Sequence, residues 1–411
     1  VRLLVTQTWE QQQEFDDATE RLIERARQLA PVLRSRAAQA EALRRQPDET
    51  IRDAEEFMNA MVPKKRGGLG LGARVLCEVA RELAHGDASA AWTIAFLIEH
   101  SWMACRLPVE AQEELFADRS FILASAPLTP WGSAVRVDGG FRVSGTFRYA
   151  SCVWNSDWTF LSSMVRENGE MVAYTFLIPL SELVINDDWF MSGMAATGSS
   201  SVTGEAVFVP ERRSIRMEDF FSVDRHHGVM YEETIMRYPP YASLGMMVTA
   251  VALGAAEAAV ELVRDRLSST TAFGGTPRIQ LPMSRDRWGK AHELVRCAQL
   301  LYHHNLDLAI KKCDAGEEWS LEEVGQIELD QTTIVHMAQE AVGIVCDGMG
   351  SSPYRTSDPL QRARRDLDVI ANHAFMDYDL IAERSVRFVL GLGAGPNDPI
   401  TTRAAIKSNK R

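Results

Sequence analysis

Apolar residues recur at helical spacing through the first third of the chain, fall into short alternating runs in the middle, and return to helical spacing thereafter. Residues 10–47 are rich in Glu, Gln, Arg and Ala, and carry Phe15, Leu22, Ile23, Ala26 and Leu29 near a helical period, which predicts a long amphipathic helix. A second helix is predicted over 49–61, broken by Pro63-Lys64-Lys65-Arg66-Gly67-Gly68. Helix resumes over about 70–84, and again from Asp87 or Ser89 to about Arg106. Either residue could accept hydrogen bonds from the open amides at that helix start. A short helix over 109–117 completes a helical first third.

From Ser120 to about residue 217 the texture changes to short runs of Val, Thr, Trp and Phe, separated by Asp138-Gly139-Gly140, Glu167-Asn168-Gly169 and Thr197-Gly198. Phe141-Arg142-Val143-Ser144 and Ala206-Val207-Phe208-Val209 suit hairpin strands. Their mixed faces predict an antiparallel sheet covered on one side. After Pro239-Pro240, helices are predicted over about 242–267, 285–314, 320–346 and 359–390, with Gly348-Met349-Gly350-Ser351-Ser352-Pro353 marking the last connection. Long helices with short links form antiparallel bundles. The expected fold is therefore mostly α with a central β domain. Residues 1–118 form an N-terminal helical domain, 119–225 an antiparallel β-sandwich or barrel, and 226–411 a C-terminal four-helix bundle.

Composition narrows the function. A chain of 411 residues holds two or three packed subdomains. A net charge of −12 argues against nucleic-acid binding, which needs a basic face. Cys77, Cys105, Cys152, Cys297, Cys313 and Cys346 show no metal-ligand or redox spacing, as expected of free thiols in a cytoplasmic protein. Tyr238 to Ala256 is the longest uncharged stretch, just short of a membrane span and opening on prolines. No secretory pattern opens the chain, so no membrane or export is expected.

Several segments, in order, carry a resemblance. Pro63 to Gly68 is similar to a Pro-x-x-x-Gly-Gly turn. Leu83-Ala84-His85-Gly86-Asp87-Ala88-Ser89-Ala90-Ala91-Trp92 is similar to a helix-start motif. A Gly139-Gly140 hairpin leads through Tyr149-Ala150-Ser151 to Trp158. Trp189 to Pro210 contains Gly193-Met194, Thr197-Gly198-Ser199 and Phe208-Val209-Pro210. Pro359-Leu360-Gln361-Arg362 is followed by Arg365-Asp366 and His373. From about Glu20 to Leu392 the chain thus resembles the acyl-CoA dehydrogenase fold. Within it, the chain resembles the oxygenase components of two-component, group D flavin monooxygenases, the group that includes p-hydroxyphenylacetate hydroxylase. Two departures matter. Cys152 stands where relatives commonly have Gly. The dehydrogenases' Glu base has no counterpart, since one of its positions reads Ala371-Asn372-His373-Ala374 and the other offers Ser243 or Leu244. Without a carboxylate base an α-proton is not readily removed.

The resemblance implies an oxygenase that receives reduced flavin, FADH2 or FMNH2, from a separate NAD(P)H-dependent reductase. It would use O2 through a C4a-hydroperoxyflavin to hydroxylate a phenol, indole or polycyclic aromatic. N-hydroxylation of an amino sugar, S-oxidation and acyl-CoA dehydrogenation are the alternatives. A homotetramer or homodimer is implied. His373 would be the acid–base residue, since a neutral imidazole can accept and return a proton near working pH. Trp92, Phe96 and His100 are spaced four apart and share a helix face. Spacing alone reads them as a core stripe; the resemblance makes them a substrate wall with His373. Ser151 would hydrogen-bond the flavin N5. Ser125, Ala126, Thr197 and Ser199 would lie along the isoalloxazine, where small residues allow close approach. Arg264 or Arg266, ahead of Phe273-Gly274-Gly275, could hold the flavin phosphate, with Gly348 and Ser351 supplying amides across a subunit interface.

Other patterns are discounted. Gly68-x-Gly70-x-Gly72 follows a basic turn rather than a strand, so it is no dinucleotide fingerprint. His226-His227 and His303-His304 are adjacent pairs, which do not share a helix face and suggest no metal.

Overall fold

The computed structural model describes residues 9–127, 132–238, 240–272 and 274–393. Phe273 and the side chains of Phe15 and Ser243 lie outside the described residues. The apolar stripe of α1 (Trp9–Leu43) buries Leu22, Ile23, Ala26, Leu29 and Leu33, and α1 packs on α3 (Ala73–Ala84). Between them, α2 spans only Asp48–Asp53, shorter than the predicted 49–61. The chain after it tightens into a 3-10 turn, Glu55–Phe57, and then carries the interior residues Phe57, Met58, Ala60, Met61 and Val62. That backbone pairs instead with the following loop, through Gly70 N–H to the Val62 carbonyl and Leu71 N–H to the Ala60 carbonyl, both 2.8 Å. Next come α4 (Ala88–Ala104), buried along its whole length, and α5 (Val109–Leu115).

The middle of the chain forms β1 (Ala124–Ser125), β2 (Gly132–Val137), β3 (Gly140–Phe147), β4 (Trp158–Glu167), β5 (Glu170–Pro179), β6 (Val184–Ile185), β7 (Val202–Pro210) and β8 (Ser214–Arg216). They make one sheet in the order β6-β7-β3-β2-β4-β5-β8, with β1 added on β4. The sheet is mixed rather than wholly antiparallel, because β1 and β2 both run parallel to β4. After the β2–β3 hairpin the chain crosses over through 148–157 to reach the far edge of β2. That crossover carries Ser151. Both faces are buried, not one: Phe160, Leu177 and Ile215 meet the helices, while Phe141, Phe147, Leu161 and Phe176 form a core of the sheet's own.

A short α6 (Met217–Phe220) leads to α7 (Pro240–Ser269), α8 (Pro282–Ala315) and α9 (Leu321–Asp347). The predicted helix 359–390 is two helices, α10 (Pro359–Ala371) and α11 (Tyr378–Val389). The break has local causes. Asn372 donates its side-chain amide to the Asp368 carbonyl at 2.8 Å, and Asp377 caps the new helix through Leu380 N–H. His373 therefore lies in a turn and not in mid-helix. Against α9 pack α7, α8, α10 and α11. Within α7, Leu244–Ser269 is long and apolar enough to cross a membrane, yet most of it is buried in the bundle.

One buried cation ties the domains. Arg106, just beyond α4, donates to the carbonyls of Phe220 at 2.8 Å, Met236 at 3.3 Å and Tyr238 at 3.4 Å, and also to that of Ser222. Burial alone lowers its pKa to about 9, so it stays charged at neutral pH. Arg106→Ala is expected to destabilise the protein by about 3 kcal/mol or more, since several buried carbonyls lose their donor at about 1–3 kcal/mol each. Urea unfolding followed by tryptophan fluorescence checks this.

Candidate active site

The start of α4 is fixed by Asp87, whose side chain accepts the Ala90 N–H at 2.8 Å; Ser89 turns instead toward the Met194 sulfur. That settles which of the two caps the helix. Trp92, Phe96 and His100 then stand one above another, with ring centroids 5.1 Å apart at each step. The band continues at both ends. Trp92 meets His373 edge-on at 5.3 Å, and His100 meets Phe160 of β4 at 6.2 Å. The structure thus brings together His373, from the turn after α10, with Trp92, Phe96 and His100 of α4, far apart in sequence.

Both imidazoles are neutral. Desolvation lowers His100 to about 4 and His373 to about 4. His100 is 2% exposed, and its Nδ1 lies 2.6 Å from the Ala124 carbonyl. A carbonyl can only accept, so Nδ1 carries the hydrogen and Nε2 is left bare. His373 is half-buried, and its Nδ1 faces the Phe375 N–H at 3.4 Å, too long to fix a tautomer.

Beside this band lies a cluster of hydroxyls. Ser151 is 2.8 Å from the Ser199 hydroxyl, which is 2.7 Å from that of Thr197. The Trp92 indole N–H donates to Ser151 at 3.3 Å, joining cluster and band. Ser125 of β1 donates to Thr159 at 2.9 Å, and Ala126 follows it, half-buried. The turn that presents Ser151 is made by left-handed residues, Tyr149 at φ +66° and Cys152 at φ +60°. Cys152 thus adopts the conformation that glycine would take, and the Thr197 carbonyl accepts its N–H at 2.9 Å. Gly198, at φ +56°, has no space for a side chain: a Cβ would lie 2.9 Å from Trp154. Small residues, hydroxyls and a half-buried Ser151 fit the polar edge of a planar heterocycle, with the aromatic band as a wall.

The remaining expected residues lie elsewhere. Arg264 is exposed beside Asp265, and Arg266 pairs with Asp358 at 2.9 Å, at the start of α10. The carbonyls of Gly348 and Met349 accept from Arg278 at 2.9 and 3.2 Å, and Ser351 is exposed next to them. Arg278 was not picked out from the sequence; its position just after Gly274-Gly275-Thr276-Pro277 was the available signal. Thr159 and Asp366, both interior, were also passed over. Among the described residues no group of His, Cys, Asp and Glu could hold a metal. His226 spends its Nε2 on the Met236 carbonyl at 2.8 Å.

Comparison with known proteins identifies the family. The chain matches the family models described as acyl-CoA dehydrogenase, N-terminal domain, over residues 9–114, and acyl-CoA dehydrogenase, C-terminal domain, over 246–378. A pigment production hydroxylase from Rhodococcus sp. is 29% identical over 389 residues, covering 92% of this chain and 98% of that protein. The oxygenase component of an FADH2-dependent resorcinol hydroxylase from Rhizobium sp. is 27% identical, over 90% of this chain and 94% of that one. The solved structure of XiaF from Streptomyces sp., in complex with FADH2 and glycerol, superposes with a TM-score of 0.88 at 25% identity, over 94% of this chain and 99% of that chain.

The lowered imidazoles carry a stability consequence. Their folded pKa values of about 4 lie below the ordinary 6.5, so the stability they contribute is present above about pH 6.5 and is lost as pH falls through about 4. The melting temperature of the wild type is expected to drop more steeply over that range than that of His373→Gln, which gains no proton. Parallel curves from differential scanning calorimetry would contradict it.

Proposed function

The chain belongs to the acyl-CoA dehydrogenase family, among its flavin-dependent oxygenase components, and on that premise we propose that it hydroxylates a phenol, indole or polycyclic aromatic with one atom of O2. Bound reduced flavin supplies the activation of oxygen that no side chain can provide. The observation that carries the reading is the Trp92–Ser151 hydrogen bond, which sets a hydroxyl-lined cradle against a wall of neutral imidazoles and aromatic rings.

In this reading Ser151, with Ser199 and Thr197 behind it, holds the reactive edge of the isoalloxazine, and Ser125 and Ala126 lie along its ring. Trp92, Phe96 and His100 form the substrate wall. His373 accepts the proton of the substrate's hydroxyl or ring N–H and returns it afterwards; burial keeps its ring neutral, with a nitrogen lone pair free to accept. The apolar wall excludes water, which protects a reactive oxygen species from premature decay. Arg264 or Arg266, with Arg278, Gly348 and Ser351, serve the flavin phosphate in a neighbouring subunit's site. Exposed apolar residues on α8 and α11, such as Leu300, Leu380 and Val389, with Leu390 just beyond α11, support a homodimer or homotetramer. A separate NAD(P)H-dependent flavin reductase is the electron donor, and the cytoplasm is the compartment.

Two substitutions test these roles, using a generic flavin reductase and a panel of aromatic substrates. His373→Ala is expected to bind flavin as the wild type does and to lose product by roughly 10²-fold or more, the usual worth of a positioned acid–base group. An unchanged product yield would remove His373 from the reaction. Ser151→Ala is expected to consume oxygen at a near-normal rate while releasing hydrogen peroxide in place of product. Unaltered coupling, measured by peroxide assay, would dismiss the Ser151 role.

A further inference from the structure

Asp366 takes no part in the chemistry just proposed, yet at 3% exposure it is buried where three elements of the site meet. It lies on α10, the helix that ends just before His373. Its Oδ1 accepts the Met194 N–H at 2.6 Å. Met194 is itself left-handed, at φ +51°. A Cβ on Gly193 would lie 2.0 Å from the Arg365 carbonyl, so α10 is pressed directly onto this turn. The Met194 carbonyl then accepts the Trp189 indole N–H at 3.1 Å and the Thr197 hydroxyl at 2.8 Å. Thr197 leads to Ser199, and Ser199 to Ser151. One unbroken run of hydrogen-bonded groups joins the Asp366 carboxyl to the Ser151 hydroxyl, with the Met194 peptides as its only backbone part.

We propose that Asp366 is a positioning residue: by holding the Met194 amide it fixes Thr197 and Ser199, and so aims the Ser151 hydroxyl at the bound flavin. This rests on the flavin reading above. Asp366 also opens on a cavity of about 180 Å³, which Asp87 shares. Two carboxyls facing one small pocket do not both ionise readily. The groups around it are Arg34 and Glu41 of α1, His85 and Asp87 before α4, Glu261 and Asp265 of α7, and Arg362 and Arg365 of α10. Burial first, and then the charge of Asp87, push Asp366 up to about 8, so it keeps its proton at neutral pH. Since this value is raised in the fold, the stability it contributes is complete below about pH 4 and is lost as pH rises through about 8. Asp87 at the same time caps α4, so the shared space links the substrate wall to the cradle.

The experiment compares Asp366→Ala and Asp366→Asn with the wild type by flavin fluorescence titration and by the ratio of peroxide to product. Asp366→Ala removes the acceptor, and is expected to weaken flavin binding and raise peroxide release by about tenfold, the scale of one lost hydrogen bond. Asp366→Asn keeps an acceptor without needing a proton. It is expected to restore wild-type flavin affinity and coupling, since its side-chain carbonyl still accepts the Met194 N–H. A folded Asp366→Ala with wild-type flavin affinity and coupling overturns the proposal. So does a folded Asp366→Asn that releases peroxide about tenfold above the wild type, which decides the matter even if the Ala variant does not fold. Failure of the wild type to bind flavin at all would sink the oxygenase reading instead.

Discussion

A helix with no solvent face is the constraint to which the molecule conforms. Every residue of α4 is buried, so all its sides must be covered by other parts of the chain. α3 and α7 cover one side, β1 and the turn at Ala195–Thr197 another, and α10 reaches its start. The face bearing Trp92, Phe96 and His100 is the one the sheet and the α10 end close over. A polar pocket inside an apolar core follows from that enclosure. Its hydrophobic surroundings keep both imidazoles uncharged, and its hydroxyls are satisfied chiefly by one another.

Enclosure also explains how polar groups survive in the interior. Three buried charged or acidic groups have specific partners: Arg106 has carbonyls, Asp87 the first amides of α4, and Asp366 a turn amide. Arg106 and Asp366 thereby join segments far apart in the chain. A buried guanidinium with no carboxylate beside it is stable here because carbonyl dipoles surround it and the Trp102 ring lies 5.3 Å away.

The order of helical and strand-rich segments was legible in the sequence because periodicity records which face is buried. The band of Trp92, Phe96 and His100 was legible for the same reason. Its junction with His373 followed from the resemblance and not from spacing, since His373 lies in the turn after α10 and only packing brings it within 5.3 Å of Trp92. Helix ends were harder. The 49–61 segment looked helical in its residue pattern, but the backbone of its last residues pairs with the following loop instead. The break after Ala371 depends on one Asn side chain bonding to a carbonyl a turn behind it, a competition that spacing does not register. The parallel strand pairs were hidden because crossover connections leave no mark on strand alternation. Thr159 carried no signal beyond its type, and Asp366 stood in the Arg365-Asp366 motif without a role attached to it. Their importance comes from what the fold puts next to them.

The interruption between Ala371 and Tyr378 has a consequence for how such a site can diverge. His373 hangs from a short turn whose ends are anchored separately, by α10 on one side and by the Asp377 cap on the other. Its ring is therefore not bound to the rotational phase of either helix. Changes in length or composition between these anchors can relocate an imidazole, or exchange it for another group, while the packing of α7 to α11 stays as it is. A lineage could thus retune its chemistry at this hinge without rebuilding its core.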